Sequence, residues 1–446
     1  MTILQHSQPP RSTSPLIIKS ALKNQAHEYN EERRAEEVNV EGNNPVISSA
    51  EFALKQTNLV EINENGVKAA ASLIHKRLHR ESYTPRTWRT HPLHILPPEP
   101  YSPSDPQTTT VLNWIFLISS LNFSFWSERE GCSDRFGIEW REGWRDEDAE
   151  KMTVHTGYWS LVAAIDRAME EGIPITDPSF YASETACPDQ LIEHIFRPAP
   201  QCSEGVPSLR ERIAVLREVG SILTSKYEAS FQRFVDEFQR AHDGQGTALQ
   251  LVKKVTNTFP SFRDEVILDG RRVFIWKRAQ ILVAETWAAF YPPTPTPLPT
   301  LTSSHSHSHW SHPIFPNGAH IHELTMFADY RVPQILHHLR IIQYPPSLTK
   351  LLRNHVYFEP GSREEVSIRS ASIVAVEQVR KEMMKLRVSD EEEGDDVVSS
   401  VLIDFYLWDL AKKVEGGGER VEDDEEDNGF ETNDILPAHR TRSIWY

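Results

Sequence analysis

The chain has 446 residues, 39% of them hydrophobic, and 47 Lys and Arg against 64 Asp and Glu give a net charge of -17. That length allows one large core or two ordinary ones, and the acidic balance argues against the basic surface that duplex nucleic acid requires. Three cysteines without a CxxC pair exclude a disulfide framework, and no run of about 18 apolar residues offers a membrane span, so a soluble protein of a reducing compartment is predicted, cytoplasmic or alternatively nuclear.

Residues 1 to about 50 are polar and aperiodic and are predicted to be a flexible extension. From Asn65, the residues Val67, Ala70, Leu73, Ile74 and Leu78 recur at helical spacing up to Arg80. The following loop, Thr87 to Pro98, is rich in aromatic and His residues; each His alone is an ordinary structural histidine, but together they are unusual for a linker. Val111 to Trp126 is apolar on nearly every side and predicts a central buried helix turning near Asn122, whose amide suits either a helix C-cap or the floor of a site for a planar ligand. Tyr158 to Glu171 is an amphipathic helix stopped by Gly172 and Pro174, and Thr176 to Phe180 is turn chemistry. Ser208 with Glu211 predicts a capping box that opens one long helix through Leu216, Leu223, Tyr227, Phe231, Phe234 and Phe238.

Asn257 to Asp264 is predicted to be a loop, Arg271 to Trp276 a short strand, and Lys277 to Tyr291 a helix ended by Pro292 and Pro293. Lys277 could face a phosphate or a carboxylate such as Asp329, or it could be a solvated surface lysine. Residues 292–320 are a low-complexity Pro- and His-rich insertion without structural-zinc spacing. Gly361 to Glu365 predicts a capping box for a helix through Val379. The acidic loop 389–396 precedes a last buried helix, Val401 to Lys412. There Asp404 and Trp408 share a face, with Asp409 about 140° from Asp404 at roughly 100° per residue. The expected organisation is mainly α: a single helical domain over 51–413 with disordered insertions, then an acidic tail, 414–446.

Asp329 lies between Phe327 and Tyr330 in an apolar run, where a buried carboxylate costs free energy unless something pairs with it. It could be a functional group or the cap of a helix beginning near Tyr330. Asp329, Asp404 and Asp409 in aromatic settings, with no P-loop, GxGxxG or GxSxG motif, point to a site without metal or cofactor. Such a site suits a planar, hydrogen-bonding ligand such as a nucleobase, or glycosidic cleavage by paired carboxylates.

The segments LNFSFWSE (Leu121 to Glu128), YWSLVAAIDRAMEEGIPITDP (Tyr158 to Pro178), FPSFRDE (Phe259 to Glu265), KRAQILV (Lys277 to Val283), LTMFADYRVPQIL (Leu324 to Leu336) and LIDFYLWDLAK (Leu402 to Lys412) together resemble the queuosine salvage protein family, the queuosine 5'-phosphate N-glycosylases/hydrolases. The resemblance spans roughly residues 50 to 413. It implies a fold like that of helical DNA glycosylases, and hydrolysis of queuosine 5'-monophosphate to release queuine for tRNA modification. By the same resemblance Asp329 is the nucleophile or the charge stabilising an oxocarbenium-like transition state. Phe327 and Ala328 help form the base pocket, Asp404, Phe405 and Asp409 contact queuine, and His94 is the N-terminal ligand histidine, with His91 three residues away. No stable nucleic-acid or membrane partner is expected. The alternatives are a non-catalytic queuine-binding protein that hands its ligand to a tRNA-modifying enzyme, and a DNA repair glycosylase.

Overall fold

The computed structural model describes residues 44–145, 148, 150–293, 312–387, 398–415 and 430–446. Helices dominate. The first, α1 (Pro45–Thr57), buries Val46, Ala50 and Ala53, so residues 45–50 of the expected extension are helical and packed, while residues 1–43 of it lie outside the described residues. Helix α2 (Glu64–Arg80) is capped by the Asn63 side chain and buries Val67, Ala70, Leu73, Ile74 and Leu78, the stripe that its periodicity predicts. A 3-10 turn, Pro85–Thr90, leads toward α3 (Pro106–Leu121), which is buried continuously from Val111 to Leu121 and ends at Asn122.

Next come α4 (Tyr158–Glu170), α5 (Pro178–Ala182) and α6 (Asp189–Ile195). Helix α4 stops where Gly172 takes a positive φ of 77°, a conformation that costs glycine little. The turn chemistry at Thr176 to Phe180 is in fact the start of α5, capped by the Asp177 carboxylate. The single long helix expected after Ser208 is two helices, α7 (Leu209–Lys226) and α8 (Phe231–Ala241). Glu228 and Ala229 both adopt positive φ, and the Ser230 side chain caps α8. Ser208 is itself left-handed and makes no capping bond; the buried Arg212 secures the start of α7 by donating to the Pro207 carbonyl at 3.0 Å.

Helix α9 (Ala248–Thr258) is followed by a 3-10 turn, Pro260–Phe262, and then by α10 (Lys277–Ala289), α11 (Val332–His338), α12 (Pro346–Arg353), α13 (Arg363–Arg387) and α14 (Ser400–Glu415). Among the described residues strands occur only as antiparallel pairs: β1 (Glu61–Ile62) with β6 (Ile342–Gln343), β2 (Gly137–Arg141) with β3 (Met152–Thr156), and β4 (Glu265–Leu268) with β5 (Arg271–Phe274). The β4–β5 hairpin therefore stands in the connection before α10, where only one short strand was expected.

Val46 to Tyr446 form one compact unit, with α3 and α10 packed together at its centre. Parts of the stretches expected to be an insertion and a tail are packed into the core. In the Pro/His-rich stretch, 294–311 lie outside the described residues, but His312, Ile314, Phe315 and Ala319 are buried. The acidic loop 389–396 lies outside them, as do 416–429. The remainder of the expected acidic tail, residues 430–446, returns to the core: Trp126 Nε1 donates to the Thr441 carbonyl at 2.8 Å, and Leu436, His439 and Tyr446 are buried. The acidic tract ends at Asp427, and the apolar and aromatic residues beyond it gain burial by packing back. Among the described residues no helix is long and apolar enough to cross a membrane, and no cluster of His, Cys, Asp and Glu suits a metal ion.

Candidate active site

Every residue of α10 is buried, including Lys277, Arg278, Gln280 and Glu285. Polar groups placed there must find partners, because an unpaired buried charge or amide is costly. Arg278 donates to the carbonyls of Ser120 and Ser261, and Gln280 holds Thr325 through both its amide atoms. Lys277 Nζ donates to Asn122 O at 3.0 Å and Oδ1 at 3.3 Å. That burial removes the surface-lysine reading. Asn122 takes both roles open to it, ending α3 and lining a cavity of about 350 Å³.

The chain from Leu324 to Arg331 crosses this cavity in irregular backbone; side chains from three helices pin it, and its own Asp329 fastens it to a fourth. Gln280 of α10 holds Thr325. Asp404 Oδ1 of α14 accepts from Phe327 N at 2.9 Å. Arg369 Nε of α13 donates to Ala328 O at 2.8 Å while its guanidinium pairs with the buried Asp264 and Glu365. Asp329 Oδ1 accepts from Arg331 N and Val332 N, each at 2.8 Å, at the head of α11. Asp329 is thus a helix cap and a cavity residue at once. Among the described residues its other oxygen, Oδ2, receives no hydrogen bond.

Asp329, Asp404, Asp409 and Lys277 all line the cavity. Burial, and then the charge of Asp329, push the Asp404 carboxyl well above the usual range. Burial also raises Asp409, against the hydrogen bond from Tyr83 Oη at 2.6 Å. Lys277 is lowered to about 8 by burial, with the Asp329 charge acting in the opposite direction. Asp404 and Lys277, both shifted by burial and both feeling the Asp329 charge, form the kind of mutually tuned cluster that active sites build, and Asp409 faces the same cavity with Tyr83 as its partner.

Aromatic rings make the walls. Phe327 and Phe405 meet at 5.9 Å between centroids, and Trp408 packs edge-on against Tyr158 and Trp159. Of the two loop histidines, His91 stacks on Trp159 at 3.5 Å and His94 on Trp88 at 4.0 Å. Both line the cavity. His94 Nδ1 bonds the Trp88 carbonyl at 2.6 Å, and burial lowers its pKa to about 4, so the ring is neutral at physiological pH. The structure thus brings His94, Phe327, Asp329, Asp404, Phe405 and Asp409 to one cavity; Ala328 is buried in its wall segment behind them. Reading the sequence did not single out Glu285, Tyr83 or Tyr446, which also line it. For Glu285 the signal was available, because Lys277, Ile281 and Glu285 recur every four residues along a helix otherwise too apolar to face water.

Residues 101–446 match the model of a family described as queuosine salvage protein. The chain belongs to the queuosine salvage protein family. A protein of Schizosaccharomyces pombe named queuosine 5'-phosphate N-glycosylase/hydrolase is 34% identical over 409 residues, covering 90% of this chain and 99% of that protein. Proteins of the same name from Mus musculus, 33% identical with 89% of this chain and 97% of theirs covered, and from Sphaerobacter thermophilus, 32% identical with 90% and 97% covered, are similar over the same span. Queuosine salvage proteins of animal, fungal and bacterial origin thus align with nearly the whole chain.

Proposed function

We propose that this chain hydrolyses the N-glycosidic bond of queuosine 5'-phosphate and releases queuine. The observation that carries this reading is Asp329: one oxygen is fixed by two backbone N–H groups and the other receives no hydrogen bond among the described residues, in a cavity walled by aromatics. A 7-deazapurine lacks the ring nitrogen whose protonation eases the departure of an ordinary purine, so positive charge developing on the sugar must be stabilised from the protein. Asp329 is suited to that, as nucleophile or as a fixed counter-charge, because a carboxylate already held by two backbone donors does not have to reorganise as charge develops. The glycosidic bond breaks with its electron pair staying on the base. Water supplies hydroxyl to the anomeric carbon and a proton to the departing nitrogen.

Asp404 supports Asp329 by position as well as by charge. It holds Phe327 N two residues away, and its raised pKa favours a protonated carboxyl beside the Asp329 charge. Asp409 is the candidate partner of the cationic aminomethyl arm of the base, and such a cation near Asp404 would draw that carboxyl into its ionised form. Among the described residues Lys277 is the only Lys or Arg lining the cavity, which makes it the candidate for the 5'-phosphate or for fixing the Asp329 charge. The test is incubation with queuosine 5'-monophosphate, following free queuine by mass spectrometry. Asp329→Asn keeps the oxygen that caps α11, so it should remain folded and bind queuine while turnover falls about 100- to 1,000-fold or more. Near-normal turnover in that variant would refute the role of Asp329.

A further inference from the structure

Glu285 has no place in the chemistry above, yet it is a buried carboxyl facing the same cavity. Its neighbours satisfy it only loosely: Tyr158 Oη donates at 3.3 Å and Ser119 Oγ at 3.4 Å, and no salt bridge reaches it among the described residues. Two further buried polar atoms, from residues that line the same cavity, make no fully formed hydrogen bond. Trp88 Nε1 approaches Glu285 closely enough to lower its pKa as a donor does, without reaching the geometry of a complete hydrogen bond. His94 Nε2 is also buried and unbonded; with Nδ1–H donated to the Trp88 carbonyl, it presents a bare lone pair. Burial raises the Glu285 carboxyl to about 7, so a ligand bringing N–H donors can draw it into the ionised form near neutral pH. A carboxylate, an adjacent acceptor and an indole N–H together complement a planar edge that carries two donors and one acceptor.

We propose that Glu285 is the specificity residue for the base and accepts the ring N–H and 2-amino N–H of a guanine-type edge, with His94 Nε2 of the same cavity as a further acceptor and Trp88 Nε1 donating to the exocyclic oxygen. The proposal rests on the reaction above for the identity of the base, since queuine is a 7-deazaguanine. Spacing agrees. Lys277 interacts with both Asp329 and Glu285, and its backbone lies about 12 Å from that of Glu285 along the axis of α10 at 1.5 Å per residue. Asp329 and Glu285 thus face one cavity from separate elements, which suits a base with its glycosidic nitrogen near Asp329 and its pyrimidine edge at Glu285. Adenine-type bases present the opposite order of donors and acceptors there, and would leave buried polar groups unpaired.

Calorimetric titration of the full chain with 7-deazaguanine and with 7-deazahypoxanthine, which lacks the 2-amino group, tests this. The wild-type protein is expected to bind 7-deazaguanine about 10- to 100-fold more tightly. Glu285→Gln should erase that preference and raise KM for queuosine 5'-monophosphate, whereas Asp329→Asn should keep the preference. Equal binding of the two bases by the wild type, or an undiminished preference in Glu285→Gln, overturns the proposal, and the wild-type comparison needs no variant to fold. Base preference without any release of queuine from queuosine 5'-monophosphate would leave the Glu285 site standing and defeat the proposed reaction. Hydrolysis without base preference would do the reverse.

Discussion

At the scale of single residues, Lys277 illustrates how one buried charge ties stability and activity to pH in opposite directions. In the unfolded chain its ammonium titrates near 10.5, and in the fold near 8. Between those values the unfolded state binds more protons, so the contribution of Lys277 to stability rises with pH across that window. The cation that faces Asp329 is lost over the same range. If that charge serves the reaction, kcat/KM of the free enzyme is level just below pH 8 and falls tenfold per pH unit above it. In Lys277→Met the residual activity should show no such limb between pH 7 and 9. A pH series of kcat/KM for both proteins decides the matter, and a limb that persists in the variant assigns the titration to another group.

At the scale of elements, the site is a loop held by helices, and the quality of that hold depends on Arg369. Its guanidinium joins Ala328 O, Asp264 and Glu365 in one buried cluster, and Asp264 Oδ2 in turn accepts from Lys277 N at 3.4 Å, at the start of α10. Removing one member of a buried ion cluster leaves the others charged and unpaired, which costs far more than replacing the whole set with apolar groups. Arg369→Met is therefore expected to lower unfolding stability by about 3–5 kcal/mol in urea titration. Activity should also fall, because the Ala328 carbonyl next to Asp329 loses its donor. A loss under 1 kcal/mol would mean that the cluster is not coupled as its geometry implies. This element scale is also where sequence reading divides. The limits of α2, the burial of α3 and the stop of α4 before Gly172 depend on neighbours a few residues away, and periodicity and glycine chemistry reveal them. The Ser208 box fails because a left-handed backbone, set by packing around Arg212, overrides a locally plausible cap. Asp329 could be suspected from its aromatic neighbours, but the hold of Asp404 on Phe327 and of Arg369 on Ala328 could not, since those residues lie far along the chain.

For the whole molecule, the largest departure from expectation is residues 430–446, and the reason is long-range. An acidic tract up to Asp427 makes the following segment look like a continuation of a solvated tail, while Leu436, His439, Thr441 and Tyr446 carry too little periodicity to announce a core segment. In the fold they complete it. Asn433 N donates to the His338 carbonyl at the end of α11, Gln334 Nε2 of α11 donates to the Leu436 carbonyl at 2.7 Å, and Ser124 N, just past α3, donates to Tyr446 O at 3.0 Å. The Arg369 guanidinium lies over the Tyr446 ring at 4.0 Å, so the same cation that holds Ala328 also packs the ring that lines the cavity. Tyr446→Ala should therefore act on the site and on stability together. Truncating a fully buried aromatic costs about 3–5 kcal/mol, and opening the cavity beside Phe123 and Tyr330 should weaken queuine binding beyond what Asp329→Asn does. Tyr446→Phe removes only the hydroxyl that His439 meets at 3.2 Å, and is expected to keep binding within about threefold at a cost near 1 kcal/mol. Denaturant titration and queuine calorimetry on the two variants separate the ring from the hydroxyl, and unchanged binding in Tyr446→Ala would show that the wall formed by this segment is dispensable to the ligand.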